Sequence, residues 1–393
     1  MEFRDTAARR RTVVAAAGAA FATGLLSACS GPAGNTATGR PSSGGPSVGD
    51  TTSAPAPETA VADEPRVVGT VATNLDTPWS IVFLPDGSAL VSERDTGAVR
   101  KIGDEGAVST LGVVPGVAHG GEGGLLGLEP SPHFDDDALL YAYFTATDGN
   151  RVSRFTVGDD GLGPEQPVLT AMPSAGNHNG GRIKFGPDGA LYAGTGDAGQ
   201  RDSAQEPDSP SGKILRLEVS AADSLPLGRP APLMSTGHRN VQGLAWDGDG
   251  RMWSTEFGPD RDDELNLVRR GGNYGWPEVT GAADDGRFTP AMHVWPSTGD
   301  ASPSALAIVD GHAYVACLRG QRLWRLPLPR AGSEAKAAGS LPGAQEFLRG
   351  QYGRLRDVVA VPSSRAQSPG HELWVATNEG PSSRILRVSL APV

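Results

Sequence analysis

The segment of residues 176–197, GNHNGGRIKFGPDGALYAGTGD, contains a candidate proton acceptor, His178. His178 lies in a glycine- and asparagine-rich loop just before the apolar Ile183 and Phe185, where the pattern predicts the start of a strand. Such a loop leaves room for a substrate beside the imidazole. Because a neutral imidazole accepts a proton near neutral pH, His178 is a candidate general base. The alternative interpretation is a solvated loop histidine with no part in chemistry.

Arginines occur in three further loops of similar character. They are Arg239 in GHRNVQGLAW, Arg319 in CLRGQRL, and Arg354 and Arg356 in YGRLRDV. Because Arg354 and Arg356 are two residues apart, we expect their side chains to lie on one face of a strand. Guanidinium groups match carboxylates in bidentate geometry, so this set indicates an anionic ligand in a chain with a formal net charge of -11. Each arginine could instead form an ordinary surface ion pair with a nearby Asp or Glu.

Two other loops offer oxygen ligands. The turn HGGEGGLLGL carries Glu122, and residues 256–277, EFGPDRDDELNLVRRGGNYGWP, form a dense acidic stretch that ends in an Asn-Tyr-Gly-Trp turn. Oxygen atoms in such a loop could hold a hard cation.

A repeat of turn and short strand must position these loops. Six instances share a strand with a large central residue, at Leu90, Tyr141, Tyr192, Trp253, Tyr314 and Trp374. Their spacing of about 50 to 60 residues is typical of propeller blades. The pattern therefore predicts an all-β fold, a six-bladed β-propeller of four-stranded antiparallel blades, with the chain ends near one another in the last blade. In a propeller the inter-strand loops converge at one mouth of the channel, which would bring the candidate site residues together.

Charge and motif content exclude two functional classes. The chain is acidic and has no basic cluster beyond the extreme N-terminus, which argues against a nucleic acid partner. No glycine-rich turn leads from a strand into a helix, so a nicotinamide site is not expected.

The N-terminus has the pattern of an export signal. Arginines precede an apolar, Ala/Gly-rich stretch that ends Leu26-Ser27-Ala28-Cys29, which resembles the bacterial lipobox. We therefore expect residues 1–29 to be a lipoprotein signal peptide with Cys29 lipidated, residues 30–64 a disordered Ser/Thr/Gly/Pro-rich tether, and residues 65–393 the propeller. The expected location is extracytoplasmic, with the membrane contacted only through the lipid anchor. A plain secretory peptide with a chance cysteine is the alternative, and the choice between general secretion and twin-arginine export stays open.

Several long motifs occur in a single order, namely GGEGGLLGL, NHNGGRIKFGPDGALY, GHRNVQGLAW, FGPDRDDELNLVRRGGNYGWP and GRLRDV. With these motifs, residues 74–388 resemble the family of pyrroloquinoline-quinone-dependent sugar dehydrogenases, which are six-bladed propellers. The resemblance implies that His178 is the general base. It assigns the cofactor contacts to Arg239, Asn240, Arg319, Arg354 and Arg356, where Arg319 stands in place of a family lysine.

The same resemblance implies metal and substrate contacts. The carbonyls of Gly258 and Pro259 would hold a Ca²⁺ ion at the quinone. A further, structural Ca²⁺ would involve Glu264 and the carbonyl of Tyr274. The substrate-side candidates are Glu122, Asp197 and Phe257, the last at a position where the family has a glutamine.

The function expected from this resemblance is a quinoprotein that oxidises the anomeric hydroxyl of aldose sugars to lactones. Its electrons would pass to an external acceptor, which could be a quinone, a cytochrome or a dye. Two alternatives stay open from the sequence: a non-catalytic propeller lipoprotein that binds a sugar or a protein partner, and a Ca²⁺-dependent lactonase-like hydrolase.

Overall fold

The computed structural model describes residues 64–219, 233–282, 284–332, 339–367 and 370–391. The predicted signal peptide with Cys29 and nearly all of the predicted tether lie outside these residues, so their assignment stays a prediction. Across the described ranges, no helix is both long enough and apolar enough to span a membrane.

The first half of the described chain forms one closing strand and three blades. The closing strand is β1 (Arg66–Leu75). The first blade contains β2 (Pro78–Phe83), β3 (Ala89–Glu93), β4 (Ala98–Ile102) and β5 (Val108–Val113). The second contains β6 (Leu125–Pro130), β7 (Leu139–Ala146), β8 (Gly149–Gly158), the short β9 (Gly161–Leu162) and β10 (Gln166–Met172). The third contains β11 (Ile183–Phe185), β12 (Leu191–Gly194), β13 (Lys213–Leu217) and β14 (Leu233–Thr236).

The second half forms three more blades. The fourth contains β15 (Val241–Trp246), β16 (Met252–Glu256), β17 (Asp263–Val268) and β19 (His293–Trp295), while the short β18 (Gly272–Asn273) joins β14 of the third blade in parallel. The fifth contains β20 (Pro303–Val309), β21 (His312–Cys317), β22 (Arg322–Pro327) and β23 (Gln345–Phe347). The sixth contains β24 (Leu355–Ala360), β25 (Glu372–Thr377), β26 (Ser383–Ser389) and β1.

Helices are few and short across the described ranges. The α-helix α1 spans Phe134–Asp137, and the 3₁₀ helices span Asp104–Gly106, Arg201–Gln205 and Gly380–Ser382. The predicted all-β fold is therefore confirmed for this part of the chain.

The ring closes through the first and the last of the described strands. β1 pairs antiparallel with β26, with Arg66 opposite Ser389 and Leu75 opposite Ser383. The innermost strands contact one another around the channel, and β24 of the last blade contacts β2 of the first. The prediction of a six-bladed β-propeller is confirmed.

The core lies between the blades. The six large residues that defined the repeat all fall in the second strand of a blade, where all six are buried. Six hydrophobic clusters of described residues each fill a space between neighbouring blades. Because a second strand is covered on both faces, its apolar residues are nearly continuous, and this made the repeat visible in the sequence.

Candidate active site at one mouth of the channel

The imidazole of His178 is paired with a buried carboxylate. Its Nδ1 lies 2.7 Å from Oδ1 of Asp197, whose side chain is fully buried. Burial alone raises the pKa of Asp197, but the hydrogen bond and charge of His178, with hydrogen bonds from Gly199 and Trp276, hold that pKa below its usual range. An ionised Asp197 accepts a hydrogen bond from Nδ1–H, which leaves Nε2 of His178 as the proton acceptor.

The backbone of His178 is held in a left-handed conformation, with a φ of 55°. Its carbonyl accepts a hydrogen bond from the amide of Ala198 at 3.1 Å. A Cβ on Gly196 would lie 1.8 Å from that carbonyl oxygen, so only glycine permits this close approach. Such backbone conformations persist only where the surroundings impose them, and they cluster at functional sites.

Glu122 joins loops from three blades. Its Oε2 accepts the amide of His178 at 2.9 Å and Nδ2 of Asn240 at 3.4 Å. Oδ1 of the fully buried Asn240 in turn accepts the amide of Gly180 at 2.9 Å. The structure therefore brings Glu122, His178, Asp197 and Asn240 together, as the sequence predicted for loops at one mouth.

Arg239 and Phe257 lie on the adjoining loops. Nη1 of Arg239 donates to the carbonyl of Phe257 at 3.2 Å, and its guanidinium lies 5.4 Å from the centre of the Trp276 ring. Its buried Nε has no hydrogen-bond partner among the described residues. Burial lowers the pKa of Arg239, although Asp197 and other acidic neighbours oppose that effect.

Arg354 and Arg356 differ in burial, and their expected placement on one strand face stays a prediction. Arg354 precedes β24 and is exposed, whereas Arg356 is buried and donates from Nη1 to Oε1 of Gln242 at 2.9 Å. Arg354 lies outside the strand, whereas Arg356 lies within β24, at a register shift between Leu355 and Asp357 in the pairing with β25. Burial, followed by the charges of Arg94 and Arg354, lowers the pKa of Arg356 to about 9.

Arg319 lies further out on the rim. It is exposed, and its Nη1 lies 3.4 Å from Oγ1 of Thr298. Its positive charge contributes to lowering the pKa of Arg354, after burial.

A second buried arginine of the channel, Arg182, forms an ion pair with Asp357. Nη2 of Arg182 lies 3.1 Å from Oδ1 of Asp357, and its other nitrogens donate to the carbonyl of Gln242 and to Oγ of Ser80. Arg182 thus has a carboxylate as its counter-charge, whereas the described residues offer Arg356 no ion pair and its buried Nε no hydrogen-bond partner.

The residues that the resemblance assigned to Ca²⁺ line one narrow cleft. Gly258, Pro259, Glu264 and Tyr274 border it together with Arg239 and Glu256. Burial and the charge of Glu256 raise the pKa of Glu264 to about 8. No group of three His, Cys, Asp or Glu side chains converges in metal-binding geometry anywhere in the described ranges. A cation in this cleft would therefore rely on Glu264 and on backbone carbonyls.

The loop that contains Gly258 is fixed by a buried carboxyl group. Oδ1 of Asp263 accepts the amide of Gly258 at 2.8 Å, and Oδ2 accepts the amide of Ser302 at 2.6 Å. Burial raises the pKa of Asp263 to about 6. Asp263 thus joins the fourth blade to the loop that enters the fifth.

Two site residues were missed from the sequence. Nε1 of Trp276 donates to Oδ2 of Asp197 at 2.8 Å. Arg94 directly follows β3, and its charge helps to lower the pKa values of both Arg354 and Arg356. The position of Arg94 in the repeat could have indicated its role, because Asp197 and Phe257 also follow the second strands of their blades. The contact of Trp276 had no such signal.

The fold and the site together define a six-bladed propeller with a histidine–aspartate pair and anion-attracting arginines at one mouth. Residues 75–387 match the model of the family described as "Glucose / Sorbosone dehydrogenase", and the chain belongs to that family.

Solved structures extend the similarity. A PQQ-bound aldose sugar dehydrogenase from Streptomyces coelicolor is 41% identical, with a TM-score of 0.74, over 83% of this chain and 98% of that chain. A protein described as a "putative oxidoreductase (glucose dehydrogenase)" from Thermus thermophilus is 38% identical, with a TM-score of 0.70, over 83% of this chain and 100% of that chain.

A curated relative matches over a shorter region. Quinoprotein glucose dehydrogenase B from Acinetobacter calcoaceticus is 32% identical over 263 residues, which are 57% of this chain and 55% of the relative. The chain thus spans about half the length of this relative.

Proposed function

We propose that this protein is a quinoprotein that oxidises the anomeric hydroxyl of an aldose to the lactone with pyrroloquinoline quinone and Ca²⁺. The observation that carries this proposal is the His178–Asp197 pair, which opens onto a mouth lined by arginines with unsatisfied nitrogens. The PQQ-bound relative from Streptomyces coelicolor supports the choice of cofactor.

The arginines fit the anionic cofactor. Nε of Arg356 and Nε of Arg239 are buried without partners among the described residues, and the pKa of Arg356 is lowered by burial and by neighbouring positive charge. Carboxylates would accept from such nitrogens and relieve that repulsion. Pyrroloquinoline quinone carries three carboxylates. We therefore assign its binding to Arg356 and Arg239, with Arg354, Arg319 and Asn240 at the mouth.

The cleft beside Arg239 fits a hard cation. Ca²⁺ takes oxygen ligands, and the carbonyls of Gly258 and Pro259 and the carboxyl of Glu264 supply them. When bound, Ca²⁺ polarises a carbonyl of the quinone, and the quinone accepts hydride from the sugar.

His178 removes the proton. Its Nε2 accepts the proton of the anomeric hydroxyl while the anomeric carbon loses hydride, so that the sugar leaves as the lactone. The ionised Asp197 orients the imidazole and stabilises the positive charge that it gains. Glu122 and Asn240 hold the backbone on either side of His178 and so fix the position of the ring.

The side chains at the centre of the channel argue against the lactonase-like alternative. A Ca²⁺-dependent hydrolase would need several carboxylates or asparagines there. Arg182 and Arg356 occupy that region beside Asp357, and Arg182 pairs with it.

Location and electron acceptor are proposed from the sequence alone. The stretch ending at Cys29 supports an exported lipoprotein on the membrane surface. Such a protein would pass electrons to an acceptor outside the cytoplasm.

The direct test is reconstitution of the purified protein with pyrroloquinoline quinone and Ca²⁺. Dye reduction with a panel of aldoses should then require the quinone and should produce the lactone. Tight binding of the quinone without turnover of any aldose would contradict the proposed reaction and favour a non-catalytic binding protein.

A further inference from the structure

Lys213 begins β13, and its side chain is fully buried. Its ammonium group donates to the backbone carbonyls of Ser203 at 2.8 Å, Ala204 at 3.0 Å and Ser211 at 2.7 Å. An ammonium group has three donors, so these carbonyls satisfy it completely. A buried charge is costly unless it is paired and hydrogen-bonded, which makes an ammonium group held only by carbonyls unusual.

The three carbonyls belong to the loop that begins with Asp197. Burial lowers the pKa of Lys213 to about 8, and the charge of Glu206 on the same loop opposes that effect. The amine is therefore mostly protonated at neutral pH. It occupies the position that a bound cation would have in a cage of carbonyl oxygens.

One set of hydrogen bonds connects these carbonyls to the proposed cofactor-binding segment. The carbonyl of Ala204 also accepts the amide of Gly237 at 3.0 Å, and the amide of His238 donates to the carbonyl of Gly212 at 3.1 Å. A Cβ on Gly212 would lie 2.5 Å from the carbonyl oxygen of His238, so glycine is required for this contact. The next residues along the segment are Arg239 and Asn240.

A second set of contacts connects these carbonyls, through Trp276, to Asp197, the partner of His178. Ser203 and Ala204 belong to the 3₁₀ helix Arg201–Gln205. From that helix, Nε2 of Gln205 donates to the carbonyl of Trp276 at 2.6 Å, and the guanidinium of Arg201 lies 4.4 Å from the centre of the Trp276 ring. Trp276 in turn donates to Asp197.

We propose that Lys213 is a positioning residue for the candidate active site, where its ammonium group acts as a built-in cation. It fixes residues 197–212 against both Trp276 and the segment of residues 237–240. Its effect on turnover rests on the function proposed above, whereas its effect on the geometry of Asp197 does not. Without the ammonium group, three carbonyls lose the donor that ties them together, and the helix that supports Trp276 loses this tie to β13.

The test compares Lys213→Met with Lys184→Met. Methionine has a similar length but no donor. Lys184 is a matched control because it lies on β11 of the same blade, faces the opposite end of the channel and is only partly buried. With quinone and Ca²⁺ bound, kcat of Lys213→Met should fall by about tenfold to a hundredfold with little change in KM, because small misplacements of catalytic groups have effects of that size.

A second readout does not depend on turnover. The proton signals of the Trp276 indole N–H and of His178 Nδ1–H report the two hydrogen bonds to Asp197. Both should shift or broaden in Lys213→Met and stay unchanged in Lys184→Met. Lys213→Gln retains two donors, so its effects should lie between those of the parent and of Lys213→Met.

A folded Lys213→Met variant with parental signals and parental kcat would overturn the proposal, as would equal effects in Lys184→Met. Shifted signals in a protein that never turns over would support the positioning of Asp197 and contradict the proposed reaction. If neither Lys213 variant folds, native-state hydrogen exchange of the parent protein tests whether the two segments are held together. The Gly237 amide and the Trp276 indole should then open together with one denaturant dependence, and independent opening would overturn the proposal.

Discussion

Nε1 of Trp276 lies 2.8 Å from Oδ2 of Asp197, the carboxylate oxygen that His178 does not contact. The two residues are 79 positions apart in the chain. This hydrogen bond satisfies the second oxygen of a fully buried carboxylate and fixes the plane in which that carboxylate meets the imidazole.

Replacing Trp276 with phenylalanine should therefore weaken both fold and turnover. A buried carboxylate oxygen would lose its donor, which should lower the free energy of unfolding by about 1.5–3 kcal/mol in urea titrations. We also expect kcat to fall by about tenfold as the imidazole loses its fixed orientation.

Trp324→Phe is the matched control for this change. Its indole donates to the backbone carbonyl of Asp300 at 3.1 Å and not to the carboxylate of Asp197. We expect it to leave kcat unchanged. An equal loss of kcat in the two variants would show that the contact with Asp197 has no special role.

Glu264 should make the stability of the Ca²⁺-free protein depend on pH. Its pKa is raised to about 8 in the folded state by burial and by Glu256. The folded state therefore holds a proton that the unfolded state releases near its ordinary pKa of about 4.3. The stabilisation that the proton on Glu264 gives the folded state is fully present below that ordinary pKa and is lost as the pH rises through the folded pKa.

Thermal unfolding in the presence of a chelator tests the predicted direction of this pH dependence. The parent protein should lose stability between about pH 5 and about pH 8, and Glu264→Gln should lose less. Added Ca²⁺ should stabilise the parent at about pH 8 more than it stabilises the variant, because the ion replaces the proton. A parent whose pH dependence equals that of Glu264→Gln would refute the assignment of this carboxyl group.

Arg356 should matter more for cofactor affinity than Arg354. A charge-assisted contact to a carboxylate in an enclosed site is worth about 1.5–3 kcal/mol, so Arg356→Ala should weaken quinone binding about tenfold to a hundredfold. Arg354 is exposed, and the effect of Arg354→Ala should be smaller because solvent screens the interaction. Titration of the apo-protein with the quinone measures both.

Arg349→Ala serves as the control for charge removal at an exposed site, since this arginine pairs with Glu346 on the surface. It should bind the quinone with parental affinity. Unchanged affinity in both Arg354→Ala and Arg356→Ala would rule out their proposed role, and turnover at saturating quinone should change much less than affinity in either variant.

Cys29 is the basis of the proposed membrane attachment. Cys29→Ser should release the protein from the membrane fraction, because no lipid can be attached to the serine. The unfolding temperature of the propeller should stay the same. A substituted protein that still fractionates wholly with membranes would contradict the lipobox interpretation.

The fold could be predicted because its repeat rests on local sequence. Tyr192 and Trp253, for example, lie in second strands that are covered on both faces, so each stands in a short apolar run between turns. The mouth could be predicted in the same way, because Glu122, His178 and Asn240 occupy loops that enter successive blades.

Other details of the site depend on contacts between distant parts of the chain. The hydrogen bond from Trp276 to Asp197 crosses from one blade to the next, and no spacing in the sequence indicates it. The difference in burial between Arg354 and Arg356 depends on where β24 begins, because Arg354 precedes the strand and Arg356 lies within it. The carbonyl cage of Lys213 was missed because backbone acceptors leave no trace in the side-chain pattern.

The central claim, that His178 is the base, is tested most directly by His178→Gln in the protein loaded with quinone and Ca²⁺. Glutamine keeps a polar side chain of similar reach, so fold and quinone affinity should be retained. The exposed His133→Gln is the control and should behave as the parent does. We expect His178→Gln to lose turnover by a factor of about 10²–10⁴, and oxidation of the best aldose at more than about a third of the parental rate would show that His178 is not the base.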